Sequence, residues 1–268
     1  MMDLTFIIPT RIETEDRLRN IISSVTYLLK HIPAKVIVKE VSNQPTFKFR
    51  ALPEIRKYVN ADNLTFLYEE SDDPLFCKSK VLNDLIIASD TKVVANYDAD
   101  CILPVSSYHQ AYDMINCNEA DVVYPYGCGI YQWKAEYSLE VYDEFINSLD
   151  TSILDKRKIL SNSTIGWTQF INRQKYIDSY MMNENFVSWG CEDDEFYYRM
   201  SVLGNRIKRV DNYVYHLEHS RTHNSWFSNP NFNNSWQLWN TIKTFDKNKL
   251  VQYYESQSYL KTRRNQLI

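Results

Sequence analysis

Glycine is scarce in this 268-residue chain, at five residues. That scarcity excludes the glycine-rich phosphate loops, GxGxxG and GxxxxGK, whose backbone must approach a phosphate closely. Any phosphate bound here must be held by side chains or a metal. Cysteine is also sparse: five residues, an odd number, with no CxxC pair. Neither a zinc site nor a disulfide framework is expected, and reduced thiols in a cytoplasmic setting are the default. No apolar run reaches membrane-spanning length, and the opening stretch Met1 to Pro9 is too short and wrongly flanked for a signal peptide. With a net charge of -4 and no strong basic block, the chain does not read as a nucleic-acid binder.

What is present is a hydrophobic content of 44%, enough to bury a sizeable core as one large or two small domains. The first half alternates strand and helix signals. Leu4 to Ile8 reads as a strand stopped by Pro9, Arg17 to Leu29 as a helix, and Ala34 to Val38 as a strand running toward Glu40. A short helix over Pro53 to Val59, a strand over Leu64 to Tyr68, a helix over Lys78 to Ala88 and a strand over Val93 to Tyr97 follow. Such alternation predicts an α/β fold with a parallel-rich sheet, whose ligands bind beyond the carboxyl ends of the strands. Pro9, Arg11, Glu40, Asp98 and Asp100 all fall at such ends.

The second half is less regular. Helices are expected over Ser107 to Asn116, across 131–160, over Arg173 to Tyr180 and over Glu192 to Leu203. Strands are expected over Asp121 to Pro125, Gly166 to Ile171 and Arg206 to Tyr215. Arg221 to Asn240 reads as a long loop, a lid or a fixed surface loop, and Asp246 to Ile268 as a surface helix. That helix would dock on the domain or on another subunit, with peripheral contact at an anionic membrane as the weaker alternative.

Three clusters carry chemistry. Asp98 and Asp100 leave a buried strand two residues apart, so their side chains point the same way. Two such carboxylates suit a hard divalent cation with a phosphate on its far side, although Asp is also common in plain turns. Ser188-Trp189-Gly190-Cys191-Glu192-Asp193-Asp194-Glu195 places four acids at a helix start, where the helix dipole favours them. The Trp-Gly ahead of them offers a sugar-stacking wall, and an Asp among acids beside aromatics gains a raised pKa suited to a general base. His216-Leu217-Glu218-His219-Ser220-Arg221 sets two histidines three apart just past a strand, a source of metal ligands.

In this order the clusters resemble the beta-1,4-galactosyltransferase family and related family 2 glycosyltransferases, over roughly residues 4–222. The resemblance implies a GT-A fold (Rossmann-like, nucleotide-diphospho-sugar transferase) and inverting transfer from a UDP-sugar to a glycan hydroxyl, using Mn²⁺. It implies Asp100, His216 and His219 as metal ligands, Asp193 as the base, and Trp189, Gly190 and Glu192 on the sugars. Pro9-Thr10-Arg11 resembles the family's Pro-Phe-Arg at the nucleotide, and Phe76 to Asn83 its Phe-Asn-Arg-Ala-Lys-Leu-Leu-Asn, with Lys78 in the basic position. Gly166-Trp167 stands where the family has paired glycines near the sugar, and Cys191 replaces a glycine. Carboxylate and imidazole ligands without thiolate fit Mn²⁺ better than Zn²⁺, with Mg²⁺ as the second choice.

The domain layout expected is a GT-A domain over 1–240, its donor half about 1–104 and its catalytic half about 105–240, followed by a C-terminal helical extension over 241–268. Two alternatives compete with the transferase reading: a non-catalytic UDP-sugar-binding module of a glycan-assembly complex, and a glycoside hydrolase. The hydrolase would also use paired carboxylates but needs no metal or diphosphate site.

Overall fold

The computed structural model describes residues 1–161, 163–227 and 229–267. The chain begins β1 (Leu4–Thr10), α1 (Glu15–His31), β2 (Lys35–Ser42), α2 (Leu52–Tyr58), β3 (Leu64–Glu70), α3 (Lys78–Ala88) and β4 (Val93–Tyr97). A π-helical turn, Phe47–Ala51, leads into α2. It continues through β5 (Cys101–Ile102), α4 (Val105–Asn116), β6 (Val122–Tyr124), β7 (Gln132–Ala135), α5 (Leu139–Ser148), α6 (Thr151–Lys156), β8 (Lys158–Ser161), β9 (Thr168–Asn172) and α7 (Arg173–Asp178). The last elements are α8 (Glu192–Val202), β10 (Ile207–Arg209), β11 (Val214–Leu217), α9 (Phe232–Ile242), α10 (Lys247–Glu255) and α11 (Ser258–Asn265).

Seven strands form the main sheet in the order β10-β6-β9-β4-β1-β2-β3. Neighbours run parallel except β9, which lies antiparallel between β4 and β6. Every residue of β1 and β4 is buried, as expected where helices cover both faces of a parallel sheet. Helix α1 shows how sequence sets an element: Thr14 caps its first turn, Glu15 and Asp16 follow, and Leu18, Ile21, Ile22, Val25 and Leu28 form the buried stripe. A smaller sheet, β5-β11-β7-β8, stands apart from the first. It matters because β5 follows Asp100 and β11 carries His216.

Several sequence expectations need correction. Pro9 does not stop β1; pairing with β4 ends at Ile7, whereas pairing with β2 continues to Thr10. The proline sits where the strand has already lost one partner, so its missing N–H is tolerated. The stretch 131–160 is not one amphipathic helical region but β7, α5, α6 and β8. Arg206 to Tyr215 is not one strand either: β10 joins the main sheet and β11 the smaller one. Within the expected loop 221–240, α9 begins at Phe232, while Ser228 lies outside the described residues.

The C-terminal stretch is two helices docked on the domain rather than one, and Ile268 lies outside the described residues. Tyr254 is fully buried, stacks on Tyr180 at 5.0 Å and donates its hydroxyl hydrogen to Glu195. Arg263 reaches Asp84 and, at 2.7 Å, Glu184. Among the described residues, no helix is long and apolar enough to cross a membrane.

Candidate active site

A cavity of about 210 Å³ opens beyond the carboxyl ends of β1 and β4. Pro9 and Arg11 line it from the end of β1, Lys78 from the start of α3, and Asp98 and Asp100 from the turn after β4. Gly166, Trp189, Glu192 and Asp193 line it from the second half, and His216 and His219 from the end of β11. The fold thus brings together nearly all the residues singled out in the sequence. Gly190 lines an adjoining cavity instead. Glu40 lines neither: it is fully buried, and its carboxylate accepts the Phe47 N–H at 2.9 Å, capping the π-helical turn. A strand-end position did not reveal which way that side chain faces.

Asp100, His216 and His219 offer donor atoms that all lie within 4.8 Å of one another. His219 Nε2 stands 3.0 Å and His216 Nε2 3.6 Å from Asp100 Oδ2. The other nitrogen of His219 faces the Ser220 carbonyl at 2.9 Å. Both ring nitrogens of His219 therefore face acceptors, yet a neutral imidazole carries one N–H. A cation held between Asp100 and the two rings resolves that conflict, with Ser220 fixing Nδ1–H and leaving Nε2 to ligate. Glu218 Oε1 lies 2.9 Å from His216 Nδ1 in the same outer position. The residues present fit a divalent ion. Burial would raise the Asp100 carboxyl, but His216 and His219 hold it well below the ordinary carboxylate range.

On another wall Lys78 Nζ sits 2.8 Å from Asp98 Oδ1 and 3.8 Å from Asp193 Oδ2. Burial opposes the lysine's charge, yet these two carboxylates hold its pKa well above the usual value. Asp98 is pushed up to about 6, chiefly by burial and against the pull of Lys78. Asp193 goes further, to about 8: burial leads, Lys78 opposes, and Glu192 and Asp98 repel the second negative charge. With one-fifth of its side chain open to the cavity, Asp193 has both the affinity for a proton and the access that a base near neutral pH needs.

The local backbone explains why the second-half residues sit where they do. A Cβ on Gly166 would fall 2.1 Å from Asp193 Oδ2, so only glycine leaves that carboxylate in place. Ser188 and Cys191 adopt left-handed φ values of 63° and 67° on either side of Trp189-Gly190. Glu192 closes the turn by accepting the Gly190 N–H at 2.9 Å. Trp189 packs within an aromatic cluster of Trp226, Phe227 and Phe232.

Other residues in or beside the cavity escaped the sequence reading. Arg17 and Asn20 enter from α1, where they read only as polar positions of an amphipathic helix. Gln169, on β9, reaches Asp193 Oδ1 at 3.4 Å. Glu13 accepts from Thr222 and Asn224 at 2.7 and 3.1 Å, tying the segment after His219 over the cavity. No spacing signal marks these partners; Arg17 and Asn20 alone could have been flagged, as polar groups one helical turn apart.

Residues 155–220 match the family described as the N-terminal domain of galactosyltransferase. That segment contains Gly166, Trp189 to Asp194, His216 and His219. Among solved structures, S. aureus TarS in complex with UDP-GlcNAc is similar with a TM-score of 0.59 and 16% identity, over 90% of this chain and 66% of that one. GalNAc-T7 with UDP, GalNAc and Mn²⁺ is similar with a TM-score of 0.57 and 16% identity, over 85% of this chain and 44% of that one. This chain thus spans less than two thirds of either. No curated protein sequence matches it. The chain has the GT-A fold of these glycosyltransferases, as the resemblance implied.

Proposed function

We propose that the protein is an inverting, metal-dependent glycosyltransferase that moves a hexose or N-acetylhexosamine from a UDP-sugar to a glycan hydroxyl. One observation carries this reading: the Asp100–His216–His219 donor set and the raised-pKa carboxylate of Asp193 line the same cavity. The similar structures, TarS with UDP-GlcNAc and GalNAc-T7 with UDP, GalNAc and Mn²⁺, support the donor class and the metal.

Asp100, His216 and His219 would hold the ion, Mn²⁺ ahead of Mg²⁺ for a set mixing oxygen and imidazole. When bound, it would neutralise charge growing on the leaving diphosphate. The chain's own cations add to this. Arg11 is fixed by the Val41 and Asp73 carbonyls at 2.8 and 2.7 Å, and its remaining amino nitrogen is buried without a partner, as is Arg17 Nε. Both are donors for phosphate oxygens. Lys78 supplies a further charge beside Asp98.

Asp193 takes the proton from the acceptor hydroxyl. The acceptor oxygen then bonds to the anomeric carbon as the bond to UDP breaks, and the electron pair leaves with UDP. Attack from the face opposite the leaving group inverts that carbon. Gly166 and Gln169 keep the base in position. The five thiols, unpaired in the structure, suit a reducing, cytoplasmic setting.

The test is UDP release from UDP-glucose, UDP-galactose, UDP-N-acetylglucosamine and UDP-N-acetylgalactosamine, with and without Mn²⁺. Turnover of at least one donor that chelation abolishes is expected. No Mn²⁺-dependent release from any of the four would overturn the reading.

A further inference from the structure

A second cavity, of about 470 Å³, adjoins the first and falls within the size range of sites for small organic ligands. The two share Thr164, Trp189, Glu192 and Asp193, so Asp193 stands at their junction. Beyond it the wall becomes aromatic. Phe232 stacks on Trp189 at 5.7 Å with 23° between planes, and on Trp236 at 6.3 Å with 20°. The three rings make a ladder leading outward from the base. Gly190 permits it, since a Cβ there would meet the Phe232 ring at 2.9 Å. The outer rings are open: Phe227 is 59% and Trp236 49% exposed. Large aromatics left in water along a cavity mark a binding surface rather than a core.

The two cavities differ in their basic residues: both hold carboxylates, but only the first also has Lys or Arg among its described lining residues. Arg11, Arg17, Lys78 and Arg221 line the first. The second has Glu192, Asp193 and Asp194 and, among its described lining residues, neither Lys nor Arg. Lys243 is held over the Trp236 ring, 5.8 Å from its centroid, and is not part of the lining. A phosphate-bearing acceptor would find no cation among these lining residues, whereas an uncharged sugar offers hydroxyls to the carboxyl groups and apolar C–H faces to the rings.

We propose that the acceptor is an uncharged oligosaccharide of two or more units, its terminal unit at Asp193 and the next stacked on Trp236 and Phe227. This rests on the transferase reading above. It assigns Trp236 and Phe227 a binding role that neither the motifs nor the family match gives them.

The test uses the whole chain with Mn²⁺ and UDP, titrated calorimetrically with cello-, chito- and galacto-oligosaccharides of one to four units and with a glycerol-phosphate oligomer. At least one neutral series is expected to bind more tightly from one unit to two or three, and the phosphate oligomer more weakly. Trp236→Ala should remove that gain, a loss of about three- to tenfold for the trisaccharide with the monosaccharide unaffected. Trp236→Phe should restore most of it, which a folding defect would not allow. Length-independent binding by every neutral series, preference for the phosphate oligomer, or an intact gain in Trp236→Ala overturns the proposal. UDP release without acceptor separates the two failures. If the donor turns over but the length gain is missing, only this inference falls; if no donor turns over, the transferase reading falls with it.

Discussion

The strands and helices up to Tyr97 contain no non-glycine residue with a left-handed φ. Among the described residues between Asn118 and Cys191 there are six: Asn118, Leu149, Tyr180, Met181, Ser188 and Cys191. The first region is a regular scaffold that presents Arg11, Lys78, Asp98 and Asp100 at strand and helix ends. The second carries strain, and two of its strained residues flank the Trp189-Gly190 turn between the cavities. Left-handed backbone at a residue with a side chain costs about 1–2 kcal/mol and persists where surrounding contacts enforce it. Here Glu192, Phe232 and Asn229 do so: Glu192 accepts the Gly190 N–H, Phe232 covers Gly190, and Asn229 donates to the Trp189 carbonyl at 2.8 Å. Regularity positions the charges, and enforced irregularity positions Asp193 and the aromatic wall.

The largest effect should come from removing what anchors the strained region. Arg199 is fully buried, donates to Glu195 at 2.9 and 3.2 Å and lies under the Tyr254 ring. Arg199→Met leaves Glu195 charged and buried, a loss of about 3–5 kcal/mol in urea unfolding. A smaller loss would mean that α8 is not held by this pair.

Next comes the base. Asp193→Asn is expected to lower transfer by on the order of 10² or more, with UDP affinity in Mn²⁺ little changed. Near-normal turnover would move the base to Glu192 or Asp194.

The pH dependence follows from the same residue. Because the Asp193 pKa is raised to about 8, the base gains its active form only as pH rises through that value, so transfer should increase between about pH 7 and 9. Lys78→Met removes the cation that opposes the shift, and the rising limb should move to higher pH. Stability has the opposite sign. The folded state favours protonated Asp193, so ionising it costs stability as pH rises from about 4 through 8, and Asp193→Asn should flatten that part of the profile. An unchanged profile would place the raised group elsewhere.

The smallest effect sharpens the comparison most. Cys191→Gly removes the side chain from a left-handed position and should raise stability by about 1 kcal/mol. The same change at a regular position, such as Ala95 in β4, should lower it. No gain at Cys191 would show that the turn is not strained.

Much of the first region was readable because its periodicity is local: α3 and β4 have the bounds that their apolar spacing indicates. Errors arose where local pattern and tertiary role part. Tyr131, Trp133, Ala135 and Tyr137 alternate with a strand's period, but the helical signal of 139–156 masked them. Asp211-Asn212 divides β10 from β11, a turn that the run Arg206 to Tyr215 concealed. At the site, Asp98, Asp100, Asp193, His216 and His219 could be found because their residue types cluster in sequence. Gln169 and Glu13 could not, since only the fold brings Glu13 to the cavity and Gln169 to the Asp193 carboxylate. The expected lid remains a proposal; its aromatics pack on Trp189, and α9 occupies part of it.

The central claim is that one ion is held jointly by Asp100, after β4, and by His216 and His219, at the end of β11. Calorimetric titration of UDP, with and without Mn²⁺, into the wild-type chain and Asp100→Ala tests it most directly. Tight UDP binding that requires Mn²⁺ is predicted for the wild type, and loss of that requirement together with most of the affinity for Asp100→Ala, at unchanged unfolding temperature. An Asp100→Ala protein that binds UDP with the wild-type Mn²⁺ dependence would contradict the account.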